Sequence, residues 1–182
     1  MPTSKQERRA CSKSTKTAPK NMDITIYRNQ LKLDADIETR KAGMFQINKD
    51  RPEELNEAQM GMEESDLSYF ERQCQQGVDD LLTVLHRFVT GCTGETPMGT
   101  ASNNKLENTK QWVISLSFDS RRNVIARALA GACHRFILMT ALHAWAVMTM
   151  PAMAEQYLAR RNDAAAAIRE MIYRKEPPTL QE

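Results

Sequence analysis

The segment SDLSYFERQCQQGVDDLLTVLHRFVT, residues 65–90, decides the fold class. Its apolar side chains recur in steps of three or four residues, which places them on one face of an α-helix. Ser65 suits the N-cap and Gly91 the C-terminal stop, so we predict an amphipathic helix over 65–90. Gly77 inside it costs about 1 kcal/mol relative to alanine, or marks a close contact with another helix. The apolar face consists of Leu67, Phe70, Cys74, Val78, Leu81, Leu85 and Val89.

A second long helix is predicted over 120–150, with Asp119 or Ser120 as its N-cap. The part from Ala128 to Met150 is long and apolar enough to raise the question of a membrane span, but it contains His134, Arg135 and His143. An arginine near the middle of a lipid-facing helix costs on the order of 3 kcal/mol. The sequence therefore favours a helix buried in a protein core, and we predict no contact with a membrane.

Pro151 separates this helix from a third one, predicted over 151–175. Proline cannot donate the hydrogen bond that would continue a helix, yet it suits the first turn of a new one. Pro177-Pro178 closes the third helix, so residues 177–182 are expected to form a loose C-terminus.

The region that begins at Asp23 allows two interpretations. The spacing of its apolar residues fits a short amphipathic helix that ends at Gly43, but Ile24-Thr25-Ile26 fits the start of a strand equally well. Residues 44–63 are polar and contain Pro52, which predicts a connecting loop. The apolar positions of the helix would be Ile24, Tyr27, Leu31, Leu33 and Ile37.

Large apolar residues occupy every second position over 112–118, which is the pattern of an extended segment. Trp112, Ile114, Leu116 and Phe118 fall on one face of it. A single strand cannot form a sheet, so its partner comes either from residues 24–33 or from another subunit. In the second case these four residues are a candidate inter-subunit segment.

Together these patterns predict a mainly α fold. It is a helical bundle of three long helices plus a short N-terminal helix, with one short extended segment near 112–118. The predicted divisions are a disordered basic tail over 1–22, a helical domain over 23–176 with loops at 44–63 and 91–111, and the loose residues 177–182.

Positive charge is concentrated in residues 1–22, which carry six basic side chains against the single acid Glu7, a net charge of +5. Residues 23–182 carry nineteen basic and twenty-two acidic side chains, so this part is unlike a general nucleic-acid-binding domain. Met22 before Asp23 also fits an alternative start, in which case the tail is not translated. The candidate nucleic-acid contacts are Lys5, Arg8, Arg9, Lys13, Lys16 and Lys20.

The sequence lacks the spacings of common catalytic and metal sites. No cysteine pair has CxxC spacing, and Cys74 and Cys133 lie in apolar helical stretches where a thiol behaves as a small hydrophobe. His134 and His143 are nine residues apart, on opposite sides of a helix, and cannot bind one metal from one face. Neither a glycine-rich phosphate loop nor Gly-x-Ser-x-Gly occurs. We therefore predict no metal, no cofactor and no enzyme activity.

Several short motifs follow one another in the C-terminal half. They are Trp112-Val113-Ile114-Ser115-Leu116-Ser117-Phe118, His134-Arg135-Phe136, Ala144-Trp145, Pro151 with Ala154-Glu155-Gln156-Tyr157, and Ile168 to Arg174-Lys175 before Pro177-Pro178. Their order over 112–178 resembles small virion proteins of tailed phages and prophages of Bacteroides-like bacteria, which are usually encoded among the head-tail, neck or tail genes.

This resemblance implies a non-enzymatic structural protein of the particle, such as a head-tail connector, a neck protein or a tail-completion protein. It also implies a homo-oligomeric ring, contacts with other virion proteins, and a location first in the cytoplasm of the bacterial host and then in the virion. In such a ring the segment 112–118 would complete the sheet of a neighbour.

Two other hypotheses remain. A small DNA-associated regulatory protein would use the basic N-terminal tail, and its binding would weaken steeply with added salt. An enzyme is the third hypothesis, and it has the least support from the residues.

Overall fold

Four helices and three strands make up the part of the chain that the structure describes. The computed structural model describes residues 19–50, 64–93, 110–119 and 124–174. The helices are α1 (Arg28–Asp50), α2 (Glu64–Leu85), α3 (Ala126–Thr149) and α4 (Pro151–Tyr173), and the strands are β1 (Lys20–Tyr27), β2 (Val89–Thr93) and β3 (Gln111–Phe118). The predicted mainly α class is confirmed, and a small antiparallel sheet accompanies the helices.

Helix α3 lies at the centre of the core. Eleven of its side chains are buried, among them Leu129, Phe136 and Trp145. Helix α4 makes the most extensive contacts with α3, and α2, β1 and α1 also pack against it. The apolar stretch is therefore a core helix, as predicted. Within the described ranges no helix is long and apolar enough to cross a membrane.

The boundary between α3 and α4 is where the sequence predicts it. The Met150 amide donates to the Ala146 carbonyl at 2.8 Å, and Pro151 is the first residue of α4. The N-terminal boundary of α3 differs, because the helix begins at Ala126 after Ile125, whose side chain makes no capping hydrogen bond. Asp119, which follows β3, is therefore not the N-cap, and Ser120 lies outside the described residues.

Gly77 lies at a close contact between two helices, which is one of the two interpretations that its position in the sequence allows. A Cβ atom built on Gly77 would lie 3.2 Å from the Ile137 Cα and 3.3 Å from the Ile137 carbonyl oxygen. Both are backbone atoms of α3. At Gly77, α2 and α3 therefore lie so close together that any residue with a Cβ atom would require one of the helices to shift slightly.

The sheet has the strand order β1-β3-β2, and both pairings are antiparallel. The register between β1 and β3 is continuous from Lys20 opposite Phe118 to Tyr27 opposite Gln111. A bulge interrupts the pairing of β2 between Val89 and Gly91. The predicted extended segment is confirmed as β3, and its intrachain partner overlaps the predicted 24–33.

Two predictions for the N-terminal region are corrected. Residues Ile24–Tyr27 belong to a strand, because Ile24 and Ile26 face the core across from Ile114 and Trp112. Helix α1 then begins at Arg28 and continues past Gly43 to Asp50, so only residues 51–63 of the predicted loop 44–63 remain outside the described elements. The strand alternative for Ile24-Thr25-Ile26 is the one that the structure confirms.

The end of the helix predicted over 65–90 is also corrected. Helix α2 ends at Leu85, a turn closes with the Phe88 amide donating to the Leu85 carbonyl at 2.8 Å, and Val89 starts β2. Val89 fits the helical spacing of the preceding apolar residues, but it lies in a strand, which β-branched residues favour. Gly91 therefore lies in β2 rather than at a helix end, and residues 94–109 of the predicted loop lie outside the described residues.

The basic tail falls mostly outside the structure's described ranges. Residues 1–18 are among those left out, whereas Lys20, Asn21 and Met22 form the start of β1. The boundary predicted at residue 22 is thus too late, because pairing with β3 begins at Lys20. Residues 177–182 also lie outside the described part of the chain.

Candidate functional site

Helix α1 is joined to three different helices by charged side chains in successive turns. Arg28 and Lys32 both form ion pairs with Glu71 of α2. Farther along α1, the Asp34 carboxylate lies 2.7 Å from His134 Nε2 of α3. A third pair, between Glu38 and Arg160, joins α1 to α4.

The Arg160 guanidinium of α4 donates to the Glu38 carboxylate of α1 at 3.1 Å. The same carboxylate accepts a longer contact of 3.5 Å from Lys41. Over residues 28–43, where the structure describes the side chains of α1, the buried residues are mostly small. They are Leu31, Ala35, Thr39, Ala42 and Gly43. In this part of α1, polar pairs therefore make up much of the contact with the other helices.

Glu71 shows how strongly α1 and α2 are coupled. Burial raises the pKa of this carboxyl. The hydrogen bonds from Arg28 and Lys32, together with their positive charges, lower the pKa by more than burial raises it, so it lies below its ordinary value of 4.5. The Glu71 side chain is only 12% exposed. The carboxylate is therefore held in its charged form between two cations.

A groove runs along one side of α1, between this helix and the α3–α4 pair. It consists of two clefts of about 430 Å³ and 420 Å³ that share Glu38 and Lys41. We call it the α1 groove. Its apolar lining comes from α1, α3 and α4 and includes Ile37, Leu138, Met139, Met153 and Tyr157.

Charged groups line the same groove. Asp34 and Glu38 are engaged with His134 and Arg160, as described above, and Arg135 of α3 is exposed beside them. Charged groups beside an apolar floor are typical of protein-binding grooves, in which the apolar part supplies affinity and the charges supply orientation.

Two large apolar side chains of α1 project into solvent next to this groove. Leu33 is 54% exposed and Ile37 is 42% exposed, and they are four residues apart on one face of the helix. Exposed apolar side chains that adjoin one another mark interaction sites more often than scattered single ones do.

A further cleft of about 390 Å³ lies between α2 and α4. Arg161, which interrupts the apolar stripe of α4 in the sequence, pairs with Asp80 at 2.8 Å and places its guanidinium 5.2 Å from the centre of the Phe136 ring. The side chain of Arg161 therefore lies where α4 meets α2 and α3, with its charged group paired to Asp80. Its partners explain why a charged residue is accommodated there.

The residues predicted as an inter-subunit segment lie in the core of the chain. Trp112, Ile114, Leu116 and Phe118 are each at most 2% exposed. Strand β3 pairs along its whole length with β1 on one side, and from Val113 to Leu116 with β2 on the other. The prediction that this segment completes a neighbour's sheet is therefore corrected, because β3 is the central strand of a sheet formed within the chain.

Of the candidate nucleic-acid contacts, the structure describes Lys20, which is exposed on β1. The other five lie outside the described residues. They are Lys5, Arg8, Arg9, Lys13 and Lys16.

The predicted burial of two cysteines is confirmed. Burial raises the pKa of the Cys133 thiol to about 12, and burial, with a smaller contribution from the Glu71 charge, raises that of Cys74 even further. Both thiols are therefore protonated at neutral pH and inert. In the described ranges, no group of three or more His, Cys, Asp or Glu side chains could hold a metal ion.

Asp34, Glu38 and Glu71 were not singled out from the sequence. The four-residue spacing of Arg28 and Lys32, and of Asp34 and Glu38, indicates two charged rows on α1. Their partners are tens of residues away in the chain, and nothing in the sequence identifies them. Comparisons with protein-family models, with curated proteins and with solved structures found no match to this chain.

Proposed function

We propose that this protein is a non-enzymatic assembly component that works by binding other protein chains, including copies of itself. The exposed pair Leu33 and Ile37 beside the α1 groove carries the proposal, because it combines a projecting apolar stripe with an apolar recess on one side of the molecule. The bundle of long helices serves as the rigid support for this surface.

The biological setting is a tailed-phage or prophage particle, with the protein acting as a head-tail connector, a neck protein or a tail-completion protein. The support for this setting is the order of motifs over 112–178. The protein would accumulate in the cytoplasm of the bacterial host during assembly, contact other virion proteins, and then remain in the virion.

Light scattering of the full chain tests self-association. We expect an oligomer, and we expect Ile37→Glu, a change in an exposed residue that lines the groove, to raise the dissociation constant of the oligomer by about tenfold, the equivalent of about 1.4 kcal/mol. Ile125→Glu is the matched control, because Ile125 is 65% exposed but precedes α3 and does not line the groove. A monomer at high concentration, together with absence of the protein from purified particles, would rule the proposal out.

A second candidate function is DNA association through the basic tail. The observation that favours it is the charge of +5 in residues 1–22. Binding to duplex DNA should weaken steeply with salt and should be lost when residues 1–18 are deleted, a truncation that leaves β1 complete. If the full chain fails to bind DNA at low salt, this candidate is eliminated.

A further inference from the structure

The two edge strands of the sheet differ in how they are protected. Natural proteins protect sheet edges from other strands by making the edge strand short, by bulges, by prolines or by charges. Strand β2 has five residues and a bulge between Val89 and Gly91. Strand β1 has eight residues in continuous register with β3 and contains no proline, and its charged residues are Lys20, at its first position, and Asp23. Among the described residues, no strand pairs with the outer edge of β1.

The hydrogen-bonding direction of each β1 residue follows from one contact. The Arg28 amide donates to the Lys110 carbonyl at 3.1 Å, and these two residues continue the register of Tyr27 opposite Gln111. In an antiparallel pair, backbone groups of successive residues point alternately toward and away from the neighbouring strand. Residues 20, 22, 24 and 26 therefore bond to β3, and Asn21, Asp23, Thr25 and Tyr27 direct their N–H and C=O groups to the outer edge.

We propose that this outer edge pairs antiparallel with β1 of a second copy of the chain, about a two-fold axis at Ile24. Such a pairing joins the two three-stranded sheets into one of six strands. The inference rests on the proposed function in one respect, since it assumes that the protein self-associates. The strand that pairs between subunits is then β1, and not β3, which the sequence makes a candidate.

The side chains of β1 are compatible with a second copy in this register. With the axis at Ile24, Met22 lies opposite the partner's Ile26 on the inner face, and Asp23 lies opposite the partner's Thr25 on the outer face. Apolar residues then meet apolar residues in the middle of the pairing, and like charges meet only at its two ends, where Lys20 lies opposite the partner's Arg28. An axis at Asp23 would instead oppose two carboxylates. The backbone is equally complementary, because Asn21, Asp23, Thr25 and Tyr27 supply donors and acceptors on both sides of the axis.

Thr25→Pro tests the pairing with little change to the chain itself. The Thr25 amide points to the outer edge, so proline removes a hydrogen bond to the second copy and none to β3. Thr25→Ala is the matched control, because it keeps the amide. We expect native mass spectrometry to show the same dimer for wild type and Thr25→Ala, and a dissociation constant at least about tenfold higher for Thr25→Pro. Circular dichroism establishes that each variant is folded.

Disulfide cross-linking provides a second measurement that does not depend on the proline variant. Opposite residues of a hydrogen-bonded antiparallel pair have Cα atoms about 5.5 Å apart, which suits a disulfide. In a Cys11→Ser background, Asp23→Cys mixed with Thr25→Cys should form covalent dimers faster than either variant alone. Ser117→Cys mixed with Thr25→Cys is the control, because Ser117 is on the central strand, and this mixture should form covalent dimers no faster than Thr25→Cys alone.

The outcomes separate this inference from the proposed function. If the chain self-associates but Thr25→Pro dissociates no more readily and the cysteine mixture forms no cross-link, the β1 pairing is wrong and the assembly function stands. If the wild-type chain remains monomeric at high concentration, the β1 pairing is wrong, and the assembly function fails with it only if the protein is also absent from purified particles.

Discussion

At the scale of single residues, the contact between Gly77 and Ile137 is the tightest constraint that the structure shows on a helix pair. The neighbouring atoms are backbone atoms of α3, a helix packed from several sides, so they have little freedom to move. Gly131 on α3 is the opposite case, since a Cβ atom there would meet nothing within 4 Å. A close helix contact therefore accounts for the glycine at 77, whereas the structure shows no such contact at Gly131.

We expect Gly77→Ala to destabilise the protein by about 1 kcal/mol, because the steric cost of overpacking, about 1–3 kcal/mol, exceeds the gain in helix propensity. Gly131→Ala should stabilise it by about 0.5–1 kcal/mol through propensity alone. The shift in the urea midpoint at constant slope measures both changes. A midpoint that rises equally in the two variants would mean that α2 and α3 are not in close contact.

At the scale of elements, charged side chains join α1 to each of the other three helices. Over residues 28–43, where its side chains are described, the buried residues of α1 are mostly small, whereas Glu71, His134 and Arg160 each provide a polar contact from a different helix. Partly buried polar contacts of this kind are lost at a cost when one partner is removed, because the other remains desolvated. Because the pKa of Glu71 is lowered in the folded protein, the ion pairs that join α1 to α2 should weaken in acid.

Glu71→Gln should lower the free energy of unfolding at pH 7 by about 1–2 kcal/mol. The folded-state pKa of Glu71 is lowered, so its stabilising contribution is complete above the ordinary value of 4.5 and is lost as the pH falls below it. The difference between wild type and Glu71→Gln should therefore shrink as the pH falls below 4.5. Urea unfolding at several pH values measures it, and a constant difference would contradict the ion pairs with Arg28 and Lys32.

Asp79→Asn is a control for which we expect a change in the free energy of unfolding of the opposite sign. Burial and the neighbouring Asp80 charge raise the pKa of Asp79, although a hydrogen bond from Gln75 opposes them. Its carboxylate therefore destabilises the folded state at neutral pH, and this penalty disappears as the pH falls through the raised folded-state pKa. We expect Asp79→Asn to be more stable than wild type at pH 7, with the gain vanishing in acid.

At the scale of the whole molecule, the N-terminal strand completes the core. Ile24 and Ile26 are each 1% exposed, and they lie beside Ile114 and Trp112 on the inner face of the sheet. Full burial of each isoleucine contributes about 1.5–3 kcal/mol. Because a domain is stable by only about 5–15 kcal/mol in total, β1 is a large part of what keeps the chain folded.

Truncations test this role. Deletion of residues 1–18 leaves β1 complete and should leave the fold intact. A chain that starts at Met22 loses only Lys20 and Asn21 from β1 and should fold with a loss of about 1 kcal/mol. A chain that starts at Arg28 loses the whole strand and should not fold. Circular dichroism and urea unfolding distinguish the three, and cooperative unfolding of the shortest chain would contradict the role of β1.

The long helices were predictable because their evidence is local. The three- and four-residue spacing over 67–85 and the proline at 151 depend only on neighbours in the sequence, and helix geometry converts such spacing directly into one buried face. The short strands were harder. Val89 fits a helical stripe and a strand equally well, and which of them forms depends on the pairing with Leu116 across the sheet.

The sequence by itself determined that the chain is mainly helical, that the apolar stretch before Pro151 forms a core helix, and that 112–118 is extended, because hydrophobic spacing and proline act through local geometry. Only the tertiary structure decided that the core helix begins at Ala126, that the extended segment is the central strand between β1 and β2, that β1 is an edge strand among the described residues, and that Glu71, His134 and Arg160 contact α1. These features depend on contacts between residues far apart in the chain, and each one is formed by the packing of the elements rather than by the sequence near it.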